Sequence, residues 1–470
     1  MKSRLLSPVI LGSLLSVLIA VPVTAQEAAA PTIKAETYRT DADRIIAAAM
    51  ASDTGYKRLA YLCDRIGHRL SGSKGLEEAI TWAVDEMKRD GLDNVRAEPV
   101  KVPHWVRGEE SAEITSPVRR PLVMLGLGNS VGTKGRNGIE ADAVVVRDFK
   151  ELDALPDSAV KGKIVVYNVV YTDYGATGIY RYQGASRAAK KGAVGVLVRS
   201  ISPVSLRTPH TGMLRYSDDA PQIPAAAITI EDVETLARMQ ARGEKVRVHL
   251  KMGAKMLPDA LSANVVAELK GREKPEEIVL LGGHFDSWDV GQGAMDDGGC
   301  CLAAWEAVRV LKSLGLRPRR TIRVVLFTNE ENGVRGGRGY AEAHKAELAN
   351  HTLAIEGDGG ITKPFGFGLS GSSPVGLATA REIGSLLKSI EADRVSEGGG
   401  GTDIGPLTEA GVPSMGLSVD ETHYFDVHHT QADTFDKIKQ DDFARCVATF
   451  AVMIYVAAEM PERLGKTTRL

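Results

Sequence analysis

Four short apolar runs stand out in the second half of the chain. They are Ile278–Leu281, Ile322–Phe327 (broken only by Arg323), Leu353–Ile355 and Met415–Leu417. A strand that is apolar on successive residues must be covered on both faces, as in a parallel sheet sandwiched by helices. Apolar positions at helical spacing predict helices between and around these runs, near Leu302–Leu314, Gly337–Glu347, Pro374–Ser389 and Asp441–Met460. This alternation predicts an α/β fold with a mixed, largely parallel sheet and helices on both faces. Ligands of such sheets bind beyond the carboxyl ends of the strands.

Upstream, residues from Asp41 to about Gly91 read as helices, with Leu76, Ile80, Ala83 and Met87 on one apolar face. Between Pro117 and Gly253 the rhythm changes. Ala141–Val146, Lys163–Val170 and Gly192–Val198 read as short strands, and Tyr182–Lys191 and Thr229–Arg242 as helices. This block reads as a smaller, β-rich α/β unit at 117–253, inserted into a larger domain formed by 26–116 and 254–470. A chain of 470 residues is too long for one ordinary core, which agrees with that division.

The N-terminus adds a compartment. Lys2 and Arg4 precede the apolar stretch Leu5–Val23, and Val23-Thr24-Ala25 is a small-residue cleavage pattern. Residues 1–25 therefore read as a secretory signal peptide, giving a periplasmic or secreted protein. Gln26–Thr40 reads as a disordered tract. No later segment is long and apolar enough to span a bilayer. A formal charge of -2 gives no reason to expect a nucleic-acid partner. Cys63, Cys300, Cys301 and Cys446 lack zinc-finger or redox spacing and read as small buried side chains, with any pairing left open.

The chemistry lies where the runs end. His284 and Asp286 follow the first run, and Asp296 and Asp297 open the next helix. Glu330 and Glu331 follow the second run, Asp358 the third, and His428 and His429 come after the last. Each piece has an ordinary explanation alone; Asp296-Asp297 before Gly298, for instance, could only cap a helix. Their common placement at one sheet edge points to a metal centre. Imidazole with carboxylate suits zinc, and so many carboxylates with two histidines suggest two Zn2+ sharing a bridging carboxylate. Asp286 is expected to hydrogen-bond the His284 imidazole and fix its tautomer. Neighbouring Glu330 and Glu331 project to opposite sides of an extended chain, so one can bind metal while the other handles a proton. His68, His104, His210, His249, His344 and His351 lack this context; His423 is near enough to stay open.

These residues also resemble a known family. Gly283-His284-Phe285-Asp286-Ser287, Ala294-Met295-Asp296-Asp297-Gly298, Asn329-Glu330-Glu331 and His429-Thr430-Gln431-Ala432-Asp433-Thr434 are similar to motifs of the co-catalytic di-zinc aminopeptidases, a family of zinc exopeptidases. The resemblance implies the fold of that family and two zinc ions per chain. By it, Asp296 bridges both metals, His284 and Asp358 hold one, Glu331 and His429 the other, and Glu330 is the general base. His428 is the second choice to His429. The resemblance also implies a cis Asp296–Asp297 peptide and a short-peptide substrate, cleaved by a dipeptidase, carboxypeptidase or aminopeptidase, in a possible homodimer. Cys300-Cys301 depart from the small or apolar residues expected there, without touching a ligand. The inserted block resembles a protease-associated domain in Val160-Lys161-Gly162-Lys163-Ile164 and Gly192-Ala193-Val194-Gly195-Val196. That domain and the loop Asp420–Val427 are expected to wall the cleft. Tyr424 is a candidate substrate-binding residue, its hydroxyl facing a developing oxyanion, with plain packing as the alternative. A one-zinc cyclase and a non-catalytic, receptor-like relative are the competing readings. The shared Asp296 disfavours the first, and the intact ligand set with Glu330 the second.

Overall fold

The computed structural model describes residues 29–465. The expected signal peptide lies outside them. The four apolar runs form neighbouring strands in the middle of an eight-stranded sheet. In spatial order the strands are Asp93–Val106, Lys255–Leu269, Arg320–Phe327, Lys274–His284, His351–Glu356, Ser414–Val419, Pro364–Ser370 and Arg394–Glu397. The third to sixth run parallel to one another. The first two join antiparallel, and Pro364–Ser370 joins Ser414–Val419 antiparallel, so the sheet is mixed with a parallel centre.

The central strands are apolar throughout because both faces are covered. Val279 and Leu281 face one core with helices Gly299–Ser313 and Gln440–Glu459, which also buries Leu76, Ile80, Ala83 and Met87. Ile278 and Leu280 face the other core with Tyr340, Ile404 and Leu407. Arg323, the one break in its run, is buried and paired with Glu268 at 2.8 Å and Glu347 at 2.7 Å.

A second eight-stranded sheet is built entirely from strands between Glu110 and Met252. Helix Ile230–Ala241 covers one of its faces and helix Tyr174–Lys190 the other. The latter helix begins at Tyr174 rather than Tyr182. Asp173 caps it by accepting from the Ala176 amide at 2.8 Å, while its glycine-containing first turns carry little apolar signal.

Two further expectations are corrected. Within the segment read as disordered, Ala35–Tyr38 forms a 3-10 turn and helix Arg39–Ala51 follows. The segment is tied down: Thr32 N donates to Thr379 Oγ1 at 3.0 Å, Ala35 N to Glu382 Oε1 at 2.7 Å, and Ala35 and Tyr38 are buried. The two helices expected at Gly337–Glu347 and Pro374–Ser389 each tighten into 3-10 turns, at Lys345–Asn350 and Ser385–Ile390. All four cysteines are buried free thiols. No helix among the described residues is long and apolar enough to cross a membrane.

Leu281 is fully buried in the central strand that ends in His284. Leu281→Ala should cost about 2–5 kcal/mol of stability. Urea unfolding followed by circular dichroism checks this; a midpoint equal to wild type would show that the strand is not clamped between two cores.

Candidate metal centre and active-site cleft

The parallel strands deliver the donors to one edge. Lys274–His284 ends in His284, Arg320–Phe327 leads to Glu330 and Glu331, and His351–Glu356 leads to Asp358. Ser414–Val419 continues through the short helix Tyr424–Val427 to His428 and His429. Close backbone approach requires the glycines before His284. A Cβ on Gly282 would lie 2.0 Å from the Val325 carbonyl oxygen, and one on Gly283 would lie 2.3 Å from Asp297 Oδ2. Asn329, at a positive φ of 65°, turns the chain out of its strand just before Glu330.

Asp296 lies between two groups. His284 Nε2 is 3.1 Å from Asp296 Oδ1 and 3.2 Å from Asp358 Oδ1. On the other side His429 Nε2 is 3.2 Å from Asp296 Oδ2 and 3.0 Å from Glu331 Oε2. His428 Nε2 lies 3.3 Å from the same Asp296 oxygen. The geometry thus brings together His284, Asp296, Glu331, Asp358 and His429. Tyr424, Glu330 and His428 line the same cleft, of about 470 Å³. His423 is exposed and pairs with Asp426 at 2.8 Å, outside the cleft lining.

The donor set fits metal. Asp296 Oδ2 and Glu331 Oε1 are buried without a hydrogen bond, although imidazole nitrogens stand near Asp296. Within each of two sets, His284 with Asp296 and Asp358, and Asp296 with His428 and His429, the ligand atoms lie within 4.8 Å of one another. Nitrogen and carboxylate donors in this number suit zinc. Burial alone would raise the Asp296 carboxyl, yet the His428 charge and hydrogen bonds from His284 and His429 hold it well below its usual range. Burial pushes Glu331 up to about 7. It also raises Glu330 well above the carboxylate range, with Asp358 and Glu331 adding to the rise against His284.

Backbone amides hold this arrangement. The Asp433 carboxylate accepts from Ala294 N at 3.1 Å, Met295 N at 2.7 Å and Asp296 N at 3.2 Å. Asp297 Oδ2 accepts from His284 N at 3.0 Å, and the Asp296–Asp297 peptide is cis. Arg69, fully buried, donates to the carbonyls of Phe285, Gln292 and Gly293 at 2.8–2.9 Å. The expected bond from the Asp286 carboxylate to the imidazole does not form. The Asp286 carbonyl oxygen meets His284 Nδ1 at 2.9 Å instead, while the carboxylate turns to accept from Glu330 N at 3.0 Å and Glu331 N at 3.3 Å. Two residues along an extended chain the carbonyl is the nearer acceptor, and it fixes the same tautomer. The sequence carried a trace of Asp433, within the His429–Thr434 string, but no signal for Arg69.

Asp433→Ala removes the acceptor of three amides around Asp296. We expect metal affinity to fall about 10- to 100-fold with the fold intact. Metal content after dialysis against graded chelator reads this directly; retention equal to wild type would mean the turn holds itself.

The comparisons agree with this geometry. The profile of peptidase family M28 matches residues 264–454, and that of the PA domain matches residues 118–236. Carboxypeptidase Q of Mus musculus is 46% identical over 412 residues, 88% of this chain and 87% of its own length. Carboxypeptidase Q of Homo sapiens is 46% identical over 417 residues, 89% of this chain and 88% of its own. Among solved structures, a peptidase M28 precursor from Shewanella amazonensis superposes with a TM-score of 0.87 at 35% identity, covering 93% of this chain and 100% of its own. A zinc aminopeptidase from Bacillus subtilis shares the fold, with a TM-score of 0.66 at 22% identity over 88% of this chain and 96% of its own. This chain belongs to peptidase family M28, with a PA domain set into the peptidase sequence.

Proposed function

We propose that the chain hydrolyses dipeptides and other short peptides with free ends, and that it uses two zinc ions to do so. As a family M28 member related to carboxypeptidase Q along most of its length, it is a zinc exopeptidase. The observation that carries the finer reading is Asp296, whose two oxygens face two separate donor groups at the floor of one cleft. In this reading His284 and Asp358 would hold one zinc, Glu331 and His429 the other, and Asp296 would serve both. His429 is preferred to His428 because its Nε2 approaches both Glu331 and Asp296, whereas that of His428 approaches Asp296 alone. Residues 117–253 are the insert, whose sheet also takes in the strand Glu110–Ser116 just before it, and the rest of 26–116 with 254–470 is the peptidase domain. Export rests on the leader-like first residues.

Zinc supplies Lewis acidity, polarising the scissile carbonyl and making water acidic enough to react near neutral pH. Glu330 is half-buried on the cleft wall and takes the proton of the attacking water, then delivers it to the leaving amine. Its raised pKa brings that exchange closer to neutrality. Asp286 positions Glu330 and Glu331 through their amides. Tyr424 is buried against Phe425 and His428 and lines the same cleft, which keeps it the candidate for contact with substrate.

Glu330→Gln should lower kcat about 100- to 10,000-fold while two zinc ions stay bound. Glu331→Gln should lose one zinc. Metal analysis beside turnover of a neutral dipeptide decides it; near-normal turnover in Glu330→Gln, or zinc loss in that variant with both ions kept in Glu331→Gln, would reverse the roles. The reading as a whole is tested on the wild type, by counting zinc and comparing dipeptides with their end-blocked forms. Removal of zinc by a chelator should abolish hydrolysis and re-addition should restore it.

A further inference from the structure

The turn after Glu331 carries a branched side chain where the backbone calls for glycine. Val334 has φ 55° and ψ 29°, in the left-handed region. Glycine adopts that conformation freely, asparagine and histidine visit it, and a β-branched residue there is an outlier. Among the described residues the other non-glycine positions with positive φ are Asn94, Asn129, Arg207, Asn329, Glu391 and His429, so Val334 is the one β-branched side chain held this way. Gly333 stands one position too early to relieve it. That glycine answers a different need, since a Cβ there would fall 2.4 Å from Asn329 Oδ1. The turn is fixed by its own bonds. Val334 N donates to the Asn329 carbonyl at 2.5 Å, Arg335 N to Asn329 Oδ1 at 3.2 Å and Gly336 N to the Thr328 carbonyl at 3.0 Å.

The valine does not serve the fold. Among the described residues it packs into none of the apolar cores. It is half-buried and lines the cleft with Met213 and Phe425, which no residue of the following helix Arg335–Ala343 does. We infer that Val334 is a specificity-determining residue whose methyl groups meet the side chain of the substrate residue that leaves, and favour an apolar one. The inference rests on the exopeptidase reading above, in which Glu330 returns a proton to the leaving amine. The Val334 amide is bonded to the carbonyl of Asn329, the peptide that leads into Glu330, so both side chains rise from one turn. The Cα of the leaving residue is bonded to that amine, and one residue of extended chain spans only about 3.3–3.6 Å. Its side chain therefore starts beside Glu330, within reach of Val334. Methyl groups offer no hydrogen bond, so the chemistry they reward is aliphatic or aromatic surface leaving water. The residue on the other side of the cut bond can offer the same surface, so the test separates the two.

The zinc-loaded full-length wild type, Val334→Gly and Val334→Thr are assayed on two dipeptide series, one from alanyl-glycine to alanyl-leucine and one from glycyl-alanine to leucyl-alanine. Zinc content and thermal midpoint are recorded for each protein. Glycine removes the side chain and its strain, while threonine keeps the branch and exchanges a methyl for a hydroxyl. In wild type kcat/KM should be higher for alanyl-leucine than for alanyl-glycine. Val334→Gly should lower that ratio about 10-fold, with the midpoint close to wild type, and Val334→Thr should fall between. The ratio of leucyl-alanine to glycyl-alanine should be the same in all three proteins. A wild type without the leucine preference, or a Val334→Gly that keeps it, overturns the inference. So does a Val334→Gly that raises it, which would make the valine an obstruction. A change confined to the second series places the contact on the other residue and also overturns it, as does a lowered midpoint with an equal loss on every dipeptide. If Val334→Gly does not fold, Val334→Thr carries the test by the same ratio. A wild type that cleaves no dipeptide of either series defeats the exopeptidase reading itself, an outcome distinct from the others.

Discussion

The structure is organised around a buried carboxylate that faces two ways. Asp296, 4% exposed, lies between His284 on one side and His428 and His429 on the other, with Glu331 and Asp358 close behind. Like charges at this density inside a protein cost several kcal/mol each unless cations and hydrogen bonds compensate them. The protein's own compensation is directed at the backbone. Asp433, Asp286 and Asp297 are not placed as ligands; each grips main-chain amides of a segment that carries one. Acidic residues thus divide into those that converge with the histidines and those that keep the first set from moving apart.

Much of this was legible in the sequence, for a physical reason. A strand covered on both faces is apolar at every position, so Ile278–Leu281 and its three counterparts are plain as text, and any polar donor just after such a run must be at the sheet edge. The edge strands gave no such signal. Asp93–Val106 alternates exposed and half-buried positions and contains two prolines, and the first half of Lys255–Leu269 is largely exposed. The candidate donors were legible because they are local to strand ends. The Asp286 carboxylate was misread because residue spacing says which groups are near, not whether carbonyl or carboxylate turns inward. The insert's cleft residues were invisible because only tertiary folding brings the insert to the cleft.

The insert is not a loosely tethered cover. Arg107, just before the insert, pairs with Asp289 at 2.9 and 2.5 Å and also donates to two groups of the insert, the Gly126 carbonyl and Thr211 Oγ1, the latter at 3.3 Å. Trp288, one residue earlier, fits a notch that exists only because residue 128 is glycine: a Cβ there would lie 1.9 Å from the indole. The same indole packs 5.7 Å from the His429 ring, and Thr211 N donates to the His429 carbonyl at 3.0 Å. The insert itself reaches His429 through Thr211 at the backbone and through the Tyr174 ring, 6.4 Å from the imidazole.

This contact limits how the cleft can work. Swinging the insert away would break the Arg107 bonds to Gly126 and Thr211, empty the Trp288 notch and pull on the main chain of His429, so opening on that side would disturb the candidate metal centre itself. A wall fixed in this way is pre-organised: ordering it requires no further loss of freedom when substrate binds, and the gain goes to affinity. The loop leading to Tyr424 carries His423 exposed and paired with Asp426 on the same turn, and it too is fastened to the insert, its Phe425 ring stacking 5.0 Å from that of Tyr174. The loop and the insert thus meet through Tyr174, which also packs 4.9 Å from the His428 ring, so both walls of the cleft are braced on the same histidine pair.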